Sequence, residues 1–150
     1  MDFKRVTLAA AVAWLVCMAY GIGVQILVMG DEFAKYAAIF RSEAALNANV
    51  PLMLAGSLVA MFALATIYAK GYEGGNGVLE GIRFGVLVAV FVFGFASVGL
   101  YGSINIGRRI AVLASVTWFI EMVLVGAVIG FLYKPAPRAD GTVPLPQPSR

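Results

Sequence analysis

The sequence contains no histidine and only one cysteine, Cys17. Without histidine there is no His-ligated haem, no His-dependent hydrolysis and no histidine proton relay. A single cysteine excludes CxxC thiol–disulfide chemistry and cysteine-rich metal sites. We therefore expect no catalytic residues, no bound metal and no cofactor, and we do not expect an enzyme.

Charged residues are also scarce, at 13% of the chain compared with about 25% in a soluble domain. Aspartate occurs only at Asp2, Asp31 and Asp140, outside the long apolar segments, which excludes an intramembrane protease with paired aspartates. The net charge of +3 does not indicate a nucleic-acid partner. The basic residues stand at the ends of apolar segments, where lipid headgroups and the positive-inside rule account for them.

Most of the sequence consists of long apolar segments, and hydrophobic residues make up 61% of it. Segments at about 6–29, 51–69, 84–102 and 110–133 each supply the roughly 20 apolar residues that a helix needs to cross about 30 Å of hydrocarbon. In lipid the backbone must satisfy its own hydrogen bonds, so these segments are predicted to be helices. The sequence predicts an all-α integral membrane four-helix bundle, formed by a transmembrane domain at 1–134.

Lysine and arginine are distributed unequally between the two sides of such a bundle. Seven fall on the side of the termini and four on the other side. The positive-inside rule then places both termini in the cytoplasm.

The first loop, at about 30–50, mixes charged residues with apolar ones at near-helical spacing. This pattern predicts a short amphipathic helix on the extracytoplasmic membrane surface. An ordered loop packed over the bundle fits the same residues equally well. The apolar positions are Phe33, Tyr36, Ala37, Phe40 and Ala44.

Prolines mark two boundaries. Pro51 suits the first turn of the second helix, with Asn49 as a candidate cap. The other five of the six prolines follow Lys134, so the tail at 135–150 is predicted to be disordered or polyproline-like.

Small residues spaced four apart allow membrane helices to approach closely. The general abundance of glycine and alanine in such helices is the plain alternative. The line in the first segment is the best candidate for an interface, either within the bundle or between copies. The candidate packing residues are Ala9, Ala13, Cys17 and Gly21 in the first segment, Gly81 and Gly85 in the third, and Gly126 and Gly130 in the fourth.

Glu121 is the only acidic or basic residue inside the apolar segments, near the middle of the fourth. A charge at that depth costs at least about 2.5–3.5 kcal/mol, so the residue demands an explanation. It either makes an interhelical hydrogen bond that fixes packing, or it binds a proton or cation. Trp118 lies one turn earlier on the same face, and Gln25 is a candidate polar neighbour. The other candidate neighbours are Ser57, Thr66, Ser97, Ser115 and Thr117.

A small four-helix membrane protein with a single intramembrane glutamate is similar in that respect to the small multidrug-resistance transporters. Those proteins carry the acidic residue in the first helix, whereas this chain has Cys17 there and Glu121 in the fourth. The stretches at 80–85 (EGIRFG), 118–121 (WFIE) and 130–135 (GFLYKP) resemble small bacterial multi-pass membrane proteins of unknown function. This resemblance covers the C-terminal half. It implies a location in the inner membrane of a bacterial cell, and it implies no activity and no catalytic residues.

Three hypotheses follow from the sequence. The first is a non-enzymatic membrane protein that acts through helix–helix contacts, with the lipid bilayer and a second copy or another membrane protein as partners. The alternative is a small proton- or cation-coupled transporter or channel whose site is Glu121. A lipid-modifying enzyme is the third and least favoured, because no nucleophile–base pair is visible.

Overall fold

The structure, a computed structural model, describes residues 1–133, and all regular structure in that range is helical. The tail predicted to be disordered, at 135–150, lies outside the described residues. Within residues 1–133, four helices are long and apolar enough to cross a membrane, which confirms the all-α bundle and makes the chain a multi-pass membrane protein. They are α1 (Phe3–Ala34), α2 (Glu43–Gly71), α3 (Gly77–Ser103) and α4 (Arg108–Leu132).

The first three helices begin earlier than the apolar segments because polar caps start them. A side-chain oxygen of Asp2, Ser42 or Asn76 accepts a hydrogen bond from a first-turn backbone N–H of α1, α2 or α3, respectively. Such caps satisfy donors that have no partner within the helix. Hydrophobicity marks the part of a helix that lies in lipid, whereas the caps mark where its hydrogen bonding begins.

The amphipathic surface helix predicted in the first loop does not form as a separate element. Residues 30–34 complete α1, residues 35–39 form turns, and α2 begins at Glu43. The rings of Phe33 and Phe40 pack edge to face at 4.9 Å across this connection. The side chain of Glu32 is buried against the bundle, which holds the end of α1 there. The alternative of an ordered, packed loop describes these residues better.

The predicted start of the second helix at Pro51 is also wrong. Because Ser42 caps α2, Pro51 lies inside the helix, where it supplies no backbone N–H. Asn49 does not cap the helix: its side-chain amide donates to the carbonyl of Ala45 at 2.7 Å.

The helices alternate in direction, so the bundle has two ends. We call the end at which α1 and α3 begin the base, and the end at which α2 and α4 begin the top. Helices α1 and α4 pack together at the centre, α2 packs on α1, and α3 packs most extensively on α4. At the base, Tyr68 donates to the carbonyl of Gly77 at 3.0 Å and packs edge-on against Tyr133.

Burial is concentrated in the base half of the bundle. No residue of α2 within 43–60, and none of α3 within 90–103, is buried. Of the helices in the described part of the chain, α1 and α4 alone have buried residues near the top, namely Met29, Glu32 and Ile110. Both α1 and α3 contain a π-helical turn in the top half, at Gln25–Met29 and Phe93–Ser97. Such a turn shifts the helix face that follows it.

Candidate functional site around Glu121

The carboxyl group of Glu121 lies between α4 and α1. Its Oε1 accepts a hydrogen bond from the thiol of Cys17 at 2.9 Å. A Cβ atom added to Gly21, one turn further along α1, would lie 3.9 Å from the same oxygen. The small residues of α1 therefore leave room for the carboxyl group and supply its donor. Pairing offsets the cost of placing a polar group in apolar surroundings.

The line of small residues in α1 faces into the bundle. Ala9 and Ala13 are fully buried, and Cys17 is buried as well. They belong to one apolar cluster that includes Ala65 from α2 and Ile129 from α4. This line of small residues is therefore an interface within the chain, where α1 packs against both α2 and α4.

The glycines of α3 and α4 lie at a second close contact, in the base half. A Cβ atom on Gly126 would lie 2.8 Å from the Cα of Gly85, and one on Gly81 would overlap the carbonyl of Gly126. A Cβ atom on Gly130 would likewise meet the backbone of α3. Only glycine permits this approach, because the atoms in the way are backbone rather than flexible side chains.

Two cavities flank Glu121. The first, of about 110 Å³, is lined by Gln25 and Trp118 together with Tyr20 and Thr117, and by Glu121 itself. The structure thus places the three residues of the predicted polar site, Glu121, Trp118 and Gln25, around one cavity. The second cavity, of about 290 Å³, is lined by Glu121 and Gln25 and by the α1 residues around them. Its lining is otherwise mainly apolar.

Most of the other candidate polar neighbours are occupied elsewhere. Ser57 accepts a hydrogen bond from the indole N–H of Trp14 at 2.8 Å, which ties α1 to α2. The hydroxyls of Thr66, Ser115 and Thr117 donate to carbonyls of their own helices. Thr117 also contributes its backbone carbonyl, which accepts from the Tyr20 hydroxyl at 3.0 Å. This bond is a second polar contact between α1 and α4.

Sequence reasoning did not identify Cys17 as the direct partner of Glu121. The four-residue spacing of small residues did point to the right face of α1. Cys17 belongs to the same line as Gly21, and that line faces α4. Spacing alone does not show which side chain of a facing helix meets the line. A thiol is a weak donor and a weak acceptor, so a cysteine in a sequence predicts a hydrogen-bond partner less strongly than an amide or hydroxyl does.

A cluster of charges at the top was not predicted either. One carboxylate oxygen of Glu32 lies 2.7 Å from the Lys35 ammonium and 3.1 Å from Nε of Arg109. The Glu32 side chain is only 8% exposed. Nearby, the backbone N–H of Gly107 donates to the Tyr36 hydroxyl at 3.1 Å. The end of α1 is thereby fastened to the start of α4.

No protein-family model, curated protein or solved structure matches the chain. Among residues 1–133, no group of three or more His, Cys, Asp and Glu side chains is placed to hold a metal ion. The Glu121 site offers a carboxyl group, a thiol and an amide in a mainly apolar setting. That set of groups can pair helices through hydrogen bonds, and its carboxyl group can exchange a proton.

Proposed function

We propose that the chain is a non-enzymatic multi-pass membrane protein that acts through contacts between helices, as a homo-oligomer or as an accessory subunit of a membrane assembly. The hydrogen bond between Cys17 and Glu121 carries this proposal. Among residues 1–133, the only acidic or basic side chain in the middle of the helices is that of Glu121, and it is hydrogen-bonded to a neighbouring helix. A carboxyl group used in this way fixes packing, and it does not require a substrate.

The top halves of α2 and α3 offer the surface for a partner. On α3 the rings of Phe91 and Phe95 stack in parallel, 5.8 Å apart, and both side chains are largely exposed. Within the described residues, nothing lies within 4 Å of a Cβ atom added to Gly94 or Gly99. Close packing of small residues and large rings is what associates helices in lipid, where burial of apolar surface alone gives no advantage.

The location belongs to the same proposal. The base, which carries the N-terminus and the loop between α2 and α3, lies on the cytoplasmic side of a bacterial inner membrane. The excess of Lys and Arg on that side supports this orientation.

Site-specific photo-cross-linking in intact membranes tests the contact surface. A photoreactive amino acid replaces Phe95, in the top half of α3, or Leu87, an exposed residue in the base half of the same helix. We expect a discrete protein adduct from position 95, whose mass distinguishes a second copy from another subunit. Position 87 should give lipid adducts. Lipid adducts alone at both positions would contradict a contact through α3.

One observation favours a second candidate function, a small proton- or cation-coupled transporter or channel. Glu121 and Gln25 line both cavities, of about 110 and 290 Å³, so the carboxyl group has space on two sides. In that case Glu121 would exchange its bond to Cys17 for a proton or a cation during each cycle. A Glu121→Gln variant, which keeps size and hydrogen bonding but does not titrate, separates the two functions.

A further inference from the structure

A groove runs between α3 and α4 in the top half of the bundle. It consists of two adjoining cavities of about 520 and 350 Å³, which share Phe93, Ser115 and Val116 in their walls. The first lies at the top of the bundle, beside Tyr101 and Arg108. The second continues inwards as far as Ile120. Together they form one continuous groove along the two helices.

The sequence of α3 explains why the helices separate here. Gly77, Gly81, Gly85 and Ala89 follow one another at four-residue spacing and are all buried. The next position in the line is Phe93, whose ring is too large for the same close approach. The π-helical turn at Phe93–Ser97 then shifts the face of α3 that follows. The gap is therefore a consequence of this sequence, since the small residues stop where the groove begins.

The groove has a strongly uneven polarity. Its walls are mainly apolar side chains, among them Val98, Val112 and Phe119. Its one charged lining residue is Arg108, at the mouth. Among the described residues Arg108 makes no ion pair, whereas its neighbour Arg109 is paired with Glu32. A ligand with a negative charge at one end and an apolar body behind it complements this lining.

The depth of the groove matches one leaflet of a bilayer. From Arg108 to Ile120 the α4 wall spans about 18 Å at 1.5 Å per residue. Half of a hydrocarbon core of about 30 Å is about 15 Å. We propose that the groove binds an anionic phospholipid, with an acyl chain against Phe93, Val112 and Val116 and its phosphate at Arg108.

The charge at the mouth favours a lipid over an apolar helix of a second copy, because a lipid phosphate supplies the anion that Arg108 lacks. Arginine is well suited to phosphate because its guanidinium group donates two parallel hydrogen bonds.

Native mass spectrometry of the full chain in detergent tests the proposal. Phosphatidylglycerol and phosphatidylcholine with identical acyl chains are titrated separately, and glycerol phosphate is added as a competitor. We expect the wild type to prefer phosphatidylglycerol, with no displacement by glycerol phosphate because it lacks the chain. The Arg108→Gln variant should bind phosphatidylglycerol about fivefold more weakly and lose the preference, since one surface cation contributes on this scale.

Matched variants locate the site. Ala111→Phe places a ring in the groove and should reduce binding of both lipids, whereas Ala60→Phe, on the exposed face of α2, should not. Arg41→Gln, an exposed arginine at the top and outside the groove, is the control for charge. Arg108 is itself exposed, so its variant keeps the fold.

Three outcomes would overturn the proposal. One is equal binding of the two lipids by the wild type. Another is an equal effect of Arg108→Gln and Arg41→Gln. The last is a change in oligomer mass on Ala111→Phe with no loss of lipid, which would assign the groove to a second copy.

Discussion

Cys17 and Glu121, which are 104 positions apart in the sequence, meet at 2.9 Å through the thiol and the carboxyl group. The contact joins the first membrane helix to the last. Trp14, one turn earlier on α1, bonds Ser57 of α2, so polar contacts tie α1 to both neighbours. In lipid such contacts matter because apolar burial does not drive one helix towards another.

A double-mutant cycle measures this contact. We expect the Cys17→Ala and Glu121→Ala variants to be coupled by about 0.6 kcal/mol, the average for interhelical hydrogen bonds in membranes, with about 1.7 kcal/mol as the upper bound. The measurement is the free energy of unfolding during SDS titration in mixed micelles. Cys17→Ser keeps a donor and serves as the control, so it should retain most of the coupling. Strictly additive effects of the two alanine variants would show that the contact does not stabilise the fold.

The close approach of α3 and α4 predicts opposite results at two glycines. Gly126→Ala should lower the free energy of unfolding by about 1–3 kcal/mol, because the added Cβ atom meets the Gly85 backbone at 2.8 Å. Gly23→Ala adds the same methyl group to α1 where nothing lies within 4 Å. That change should be neutral or stabilising by up to about 1 kcal/mol, since alanine is the better helix former. The same SDS titration checks both, and equal destabilisation at the two sites would contradict the packing.

Much of the fold could be predicted from the sequence, but pairings between helices could not. The four spans follow from the length of the apolar segments. A packing or binding role for Glu121 follows from the cost of placing a charge at that depth. Its bond to Cys17 depends on how two helices are rotated, which hydrophobicity does not encode when every face is apolar. The extended start of α2 depends on Ser42, a polar residue outside the apolar segment. The ion pair between Glu32 and Arg109 could not be predicted, because the two residues are distant in sequence.

The charges at the top predict non-additive effects on thermal stability. Lys35 and Arg109 share one carboxylate oxygen of Glu32, at 2.7 and 3.1 Å. Lys35→Gln or Arg109→Gln alone should lower the melting temperature slightly, because the other cation still pairs the carboxylate. The double variant should lower the melting temperature by more than the sum of the two single effects, since a buried carboxylate without a partner is costly. Melting temperatures in detergent test this, and simple additivity would show that the two cations do not share a role.

The proposed orientation predicts which loops face the outside of the cell. Cysteines are introduced singly by Ala38→Cys, between α1 and α2, and Glu73→Cys, between α2 and α3, in a Cys17→Ser background. Both positions are exposed in the structure. With termini in the cytoplasm, a membrane-impermeant maleimide should label position 38 in spheroplasts and position 73 only after permeabilisation. The reverse pattern would invert the topology without altering the fold.

Proton flux through proteoliposomes tests most directly whether Glu121 holds helices together or carries ions. Wild type and Glu121→Gln are reconstituted at equal density, and a pH gradient is imposed with and without a lipophilic cation. If Glu121 serves packing, neither protein should dissipate the gradient or move the cation faster than protein-free liposomes, and Glu121→Gln should still assemble. Flux in the wild type that Glu121→Gln abolishes would contradict the structural role and establish the transporter function instead.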